Sequence, residues 1–150
     1  MGFGTPSLKG RALKLLAGRE HSRAELERKL KAHEQEPGQL RRVLDELQAR
    51  GFIDEQRVAD SLVHRRAPRL GASRIRQELQ AKGLDAERVA AALASLKSTE
   101  LERAREVWQK KFGQAPGDAA ERGRQARFLA ARGFSGEVIR RVLGHRGDTQ

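Results

Sequence analysis

The chain contains no cysteine and no tyrosine, one tryptophan and one methionine. Without cysteine there can be no disulfide, thiolate metal site or thiol nucleophile. The longest uninterrupted apolar run, Val89 to Ala94, is far too short to cross a bilayer. The opening "MGFGTPS" lacks the basic-then-apolar pattern of a signal peptide. It also misses the myristoylation pattern, because Pro6 stands where a hydroxyl residue is wanted. A cytoplasmic protein with no membrane association is expected. Catalytic constellations are missing as well. There is no G-x-x-x-x-G-K-[ST] phosphate loop and no H-E-x-x-H zinc motif. His21, His33, His64 and His145 are scattered among charged neighbours at no ligand spacing. No catalytic residue, metal ligand or cofactor is therefore expected, and the chain does not read as an enzyme.

Positive charge, by contrast, is abundant. Lys and Arg number 31 against 20 Asp and Glu, giving a net charge of +11 over 150 residues and a pI near 11.1. Every third of the chain carries part of the excess, so this is not a neutral domain with a basic tail. Such a surface attracts polyanions and accelerates encounter with them, without choosing a sequence. Leu, Ile, Val and Phe make up 33 residues, just above the proportion at which charged chains stay disordered. Thin cores spread under a large surface are expected.

Strand-like alternation is absent and Leu and Ala recur at three and four, as in Leu26/Leu30, Leu40/Leu44/Leu47 and Ile75/Leu79. All four prolines fall between periodic segments. Helix starts are legible: Ser22 with Glu25, and Thr99 with Glu102, both fit the S/T-x-x-E capping box. Helix stops are expected at Gly51, Gly83, Gly113 and Gly133. The chain reads as all-α.

Laid on itself at an offset of 50, the chain superposes Arg74, Leu79, Gly83, Val89 and Leu93 on Arg124, Leu129, Gly133, Ile139 and Leu143. An offset of 49 in the other direction superposes Ile75, Leu79, Val89, Leu93 and Leu96 on Leu26, Leu30, Leu40, Leu44 and Leu47. One further helical phrase precedes each pair. Three tandem three-helix repeats are predicted, at 1–53, 54–97 and 98–150, forming an elongated, curved array in which neighbours support one another. The first repeat carries "HEQEPG" where the others have a glycine turn, so its turn must be built differently.

"RIRQELQAKGLDAERVAAAL" (74–93) has the outline of a base-reading helix–turn–helix, whose second helix enters the major groove. Its chemistry argues otherwise. Asp85 and Glu87 front the second helix, Glu137 does so in the third repeat, and Leu79 stands where close helix crossing wants a small residue. Basic excess sits instead on the second helix of each repeat, +2 over 22–33, +2 over 73–83 and +3 over 121–133. Arg74, Arg76, Lys82, Arg122, Arg124, Arg127 and Arg132 are the candidate contacts to a phosphate backbone or an acidic protein partner. The few phenylalanines (Phe52, Phe112, Phe128, Phe134) read as core anchors rather than base-stacking platforms.

"ALKLLAGREHSRAELERKL", "LDELQARGFIDEQRVADSLVHRR", "GASRIRQELQAKGLD" and "ERGRQARFLAARGFSGEVIRRVL", in that order, resemble the RecX family of bacterial regulatory proteins from about Arg11 to Leu143. Val58 and Leu62 stand where that family usually has aromatics, and "HEQEPG" departs from its glycine turn. The resemblance implies tandem three-helix units and a non-enzymatic role. The partner it implies is the RecA recombinase, chiefly as a filament on single-stranded DNA, with ATP hydrolysis and strand exchange restrained. Direct contacts to the DNA backbone would be compatible with it. The alternative, from charge alone, is a stand-alone architectural protein that binds DNA without sequence preference.

Overall fold

The computed structural model describes residues 4–144. Among them are nine α-helices: α1 (Leu8–Gly18), α2 (Arg23–Leu30), α3 (Gln39–Ala49), α4 (Glu55–Arg66), α5 (Ala72–Ala81), α6 (Ala86–Lys97), α7 (Glu100–Lys111), α8 (Ala119–Ala131) and α9 (Gly136–Leu143). A single 3-10 turn, Lys31–His33, follows α2. His145 lies outside the described residues.

Short polar side chains start most of these helices. Ser7, Ser22, Asp54, Asp85, Asp118 and Ser135 each accept a first-turn backbone N–H. At Ser22 both halves of the capping box are formed, worth about 1 kcal/mol in such caps. Thr99 corrects the second expected box. Its backbone is helical rather than extended, and its hydroxyl donates to the Leu96 carbonyl while accepting from Arg103 Nε. The side chain is thus engaged before α7 begins. Where "HEQEPG" replaces the glycine turn, Glu34 Oε2 accepts the Leu40 N–H at 2.9 Å and caps α3 from six residues upstream. Gly38 supplies the left-handed backbone there, at φ 82°.

Each set of three helices closes over its own core. The first is built on Leu26, Leu44 and Leu47, the second on Leu62, Ile75 and Leu79, the third on Leu129, Phe134 and Ile139. Val58 and Leu62 are buried in the second core as aliphatics. Each fully buried leucine contributes about 2 kcal/mol. Phe52 departs from the expected anchoring role: it is 42% exposed beneath the Arg50 guanidinium, while Ile53 beside it fills the core at 2%. Helices pack closely within their own set, so the units hold together by localised joints rather than one shared core. The fold is an all-α array of three-helix repeats.

Candidate nucleic-acid and partner interface

The joint between the second and third units is made at the N-terminus of α5. Gly71, its N-cap, has no side chain to satisfy the free N–H groups of the first turn. The third unit supplies the acceptors instead. Gly71 N donates to the Arg132 carbonyl (2.8 Å), Ala72 N to Glu100 Oε1 (2.7 Å) and Ser73 N to the Gly133 carbonyl (3.2 Å). The carboxyl end of α8 thus abuts the amino end of α5, with opposite ends of the two helix dipoles in contact. The approach is close enough that a Cβ on Gly133 would lie 2.6 Å from the Arg74 nitrogen.

The joint between the first and second units repeats this plan with different chemistry. The turn after α5 docks on the start of α2: Ser22 Oγ donates to the Lys82 carbonyl (2.6 Å), and a Cβ on Gly83 would lie 2.6 Å from Ala24 Cβ. Glu55, the first residue of α4, accepts from Arg23 N (3.2 Å), as Glu100 at the head of α7 accepts from Ala72 N. Here, however, charge replaces backbone pairing. Glu25 is held by Arg19 (2.8 Å) and Lys82 (3.2 Å). Burial pushes the Glu25 carboxyl up, but Arg19, the Ser22 N–H and Lys82 outweigh it and bring the pKa to about 2. Glu55 moves the other way: burial dominates and raises its pKa, and its Oε2 has no hydrogen-bond partner. The second helices α2, α5 and α8 are therefore linked carboxyl end to amino end through successive units.

Arg103 adds a second clamp that sequence reasoning did not identify. It is 9% exposed and donates to the carbonyls of Ala67 (2.9 Å), Leu70 (2.7 Å) and Leu96 (3.3 Å). Those of Ala67 and Leu70 lie just beyond the end of α4, where helices leave carbonyls unpaired, and that of Leu96, near the end of α6, is shared with Thr99. Burial lowers its pKa, offset in part by Glu100. An arginine set among Glu100, Glu102, Arg105 and Glu106 reads as part of a solvated helix face, which hid it.

The seven candidate contact residues do not form one stripe. Arg74 and Arg132 meet at the second joint, where Arg74 Nη1 donates to the Ala131 carbonyl (2.8 Å) and Arg132 lies 4.8 Å from the Phe128 ring centre. Arg76, two residues from Arg74 and thus roughly 200° round the helix, is exposed on the other side of α5. Lys82 is engaged with Glu25 in the first joint. Arg122 donates to the carbonyls of Leu143 (3.1 Å) and Gly144 (2.6 Å), satisfying the end of α9. Arg124 pairs with Glu121, and Arg127, three residues on, is exposed along the same stripe of α8.

What the joint assembles is a basic cleft. A hollow of about 280 Å³ is bordered by Arg66, Arg69, Arg74 and Arg132, with Glu78 paired to Arg66 at 2.9 Å. A second, about 290 Å³, shares Arg69 and Arg132 and adds Lys110, Lys111 and Phe128. Lys111 Nζ lies 5.4 Å from the Phe128 ring centre, so two cations flank that ring. Arg66, Lys110 and Lys111 come from the ends of α4 and α7 and Arg69 from the loop after α4, and no local motif marks them. Guanidinium and ammonium groups in this arrangement can hold phosphate or carboxylate oxygens. Among the described residues no three His, Cys, Asp or Glu side chains cluster to hold a metal ion, and no helix is long and apolar enough to cross a membrane.

Models of the RecX family match the chain in three consecutive pieces: the first three-helix domain at residues 9–47, the second at 54–93 and the third at 98–143. The chain is 61% identical over 137 residues to the regulatory protein RecX of Leptothrix cholodnii, covering 91% of this chain and 87% of that one. It is 44% identical to that of Ralstonia nicotianae, covering 91% and 86%. Among solved structures, RecX from Lactobacillus salivarius superposes with a TM-score of 0.78 at 20% identity, covering 91% of this chain and 92% of that one. A second RecX crystal structure gives 0.76 at 21%, covering 90% and 70%. With three family domains in register on three structural units, and a 61% identical relative matched over 91% of this chain, the chain belongs to the RecX family of regulatory proteins.

Proposed function

We propose that this protein binds the RecA recombinase as a filament on single-stranded DNA in the cytoplasm and restrains its ATPase and strand exchange, without catalysing any reaction itself. The observation that carries this reading is the way the joints link α2, α5 and α8 and gather cations from separate units into one cleft. A rigid series of small units with basic hollows suits a partner that is long, repeating and negatively charged. Arg74, Arg76, Lys82, Arg122, Arg124, Arg127 and Arg132 remain the proposed contacts. Arg76, Arg124 and Arg127 have the most open positions among them, while Arg74 and Arg132 act with Arg69 in the cleft.

The test is a titration of the protein into RecA-coated single-stranded DNA while ATP hydrolysis is followed. Inhibition is expected well below one regulator per recombinase, because one array would span several subunits. No inhibition at a stoichiometric amount would overturn the proposal. Changing Arg76, Arg124 and Arg127 together to Glu, and leaving Arg74 to bond the Ala131 carbonyl across the joint, should weaken inhibition in a chain that stays folded. Tight binding to bare DNA with a steep salt dependence, together with no effect on RecA, would instead favour the stand-alone DNA-binding reading that the net charge also permits.

A further inference from the structure

A separate cleft of about 670 Å³ lies in the first unit, between the carboxyl-terminal half of α1 and α2. Its border includes Arg11, Lys14, Arg19 and Lys29, and no carboxylate. Helix α1 contains no acidic residue at all. Its Lys9 is paired with Glu46, outside the cleft. Arg11 and Lys14, three residues apart on one stripe of α1, therefore oppose each other, with no ion-pair partner among the described residues; Glu34, which borders the adjoining hollow with Arg11, is bonded to Lys31 (3.1 Å) and to the Leu40 N–H (2.9 Å). Lys29 faces them from α2 and is held in place. His21, 2% exposed, has Nδ1 at 3.0 Å from the Arg19 carbonyl, which makes Nδ1 the protonated nitrogen. Nε2 is then free to accept from the Lys29 ammonium at 2.9 Å. That single bond fixes the ammonium and leaves it two protons for another acceptor. Between the cations, Leu15 and Leu30 give the cleft an apolar part.

An inorganic ion would use only the cations and leave most of this volume unfilled. An apolar part edged by three uncompensated cations fits a ligand with a flat organic body and a phosphoryl group, and the volume falls in the range of small-molecule sites. We propose that this cleft binds a nucleoside phosphate, with the phosphoryl oxygens on Arg11, Lys14 and Lys29 and the base against Leu15 and Leu30. The nucleotide could be free or part of a single strand; the recognition chemistry is the same. The site is distinct from the joint cleft and needs no recombinase.

The experiment titrates the full-length protein alone with ADP, with inorganic phosphate and with a short oligothymidylate, following backbone amide NMR shifts and binding heat. ADP is expected to shift amides in 11–18 and 21–33 and to bind about tenfold or more tighter than inorganic phosphate. Arg11→Gln and Lys14→Gln should each weaken ADP about tenfold, the value of one charge-assisted hydrogen bond. Arg76→Gln in the second unit should leave it unchanged. Displacement of ADP from these amides by the oligonucleotide identifies a strand nucleotide as the source, and no displacement identifies the free nucleotide. ADP binding no tighter than phosphate, shifts centred elsewhere, or undiminished ADP binding in folded Arg11→Gln and Lys14→Gln variants would each overturn the proposal.

Discussion

Alanine at position 71 would separate the joint between the second and third units from the other consequences of replacing a glycine. Gly71 has φ −84°, a conformation any L-residue adopts, so no left-handed strain enters the comparison. Its new Cβ would lie 2.6 Å from the Phe134 nitrogen and closer still to the Gly133 carbonyl. Both are backbone atoms that cannot rotate away, so the turn after α8 has to withdraw. Withdrawal breaks the bonds from Gly71 N to Arg132 O and from Ser73 N to Gly133 O, and loosens those of Ala72 N with Glu100 and of Arg74 with Ala131. At about 1 kcal/mol net for each backbone bond and somewhat more for the carboxylate, the loss is about 3 kcal/mol. That is a large part of the stability of a small protein. Urea denaturation should register this loss. The Ser73 amide, whose acceptor belongs to the neighbouring unit, should exchange roughly a hundredfold faster with deuterium. An alanine variant within about 0.5 kcal/mol of the parent, with Ser73 protection intact, would refute the joint as described, since ordinary surface substitutions fall in that range.

The first joint should respond to acid through Glu25. Glu25 has its pKa lowered from 4.5 to about 2, so its stabilisation is complete above about pH 4.5 and is lost as pH falls toward 2. The shift corresponds to about 3 kcal/mol. In denaturation series across that range, Glu25→Gln should be destabilised at neutral pH and converge on the parent at about pH 2. Glu55→Gln should do the opposite. A raised carboxyl pKa means that the ionised form is disfavoured in the fold, and that burden grows as pH rises through its titration. The amide keeps an acceptor for Arg23 N, so the variant should match or exceed the parent in melting temperature at pH 7. Arg103→Met keeps the length of the side chain but strands the Ala67 and Leu70 carbonyls, while Leu96 keeps its bonds from Thr99. A loss of about 3 kcal/mol is expected in the same denaturation assay, and none if the clamp is incidental.

Much of the architecture was legible because it rests on side-chain pattern. Leucines at helical spacing, repeated at offsets of 49 and 50, mark three cores that each draw on their own unit. Ser22 with Glu25 announces a capping box and the structure contains it. Thr99 with Glu102 has the same letters and forms none, because the carbonyl of Leu96 and the buried Arg103 compete for the hydroxyl. A cap motif names groups able to pair, and the neighbours decide which pairing is made.

Residue identity alone therefore determined the all-α class, the threefold repeat, the distributed positive charge and the family. The arrangement of the units was decided only in three dimensions, for a physical reason. The second joint is made largely of backbone N–H and C=O groups, which every non-proline residue carries and which leave no pattern in the sequence. Gly71 and Gly133 matter there for the atoms they lack. The cations followed the same rule: their number could be counted along the chain. Which of them are occupied as clamps, as Arg122 and Arg103 are, and which border a cleft, as Arg69 and Arg132 do, depends on carbonyls and rings brought close by folding.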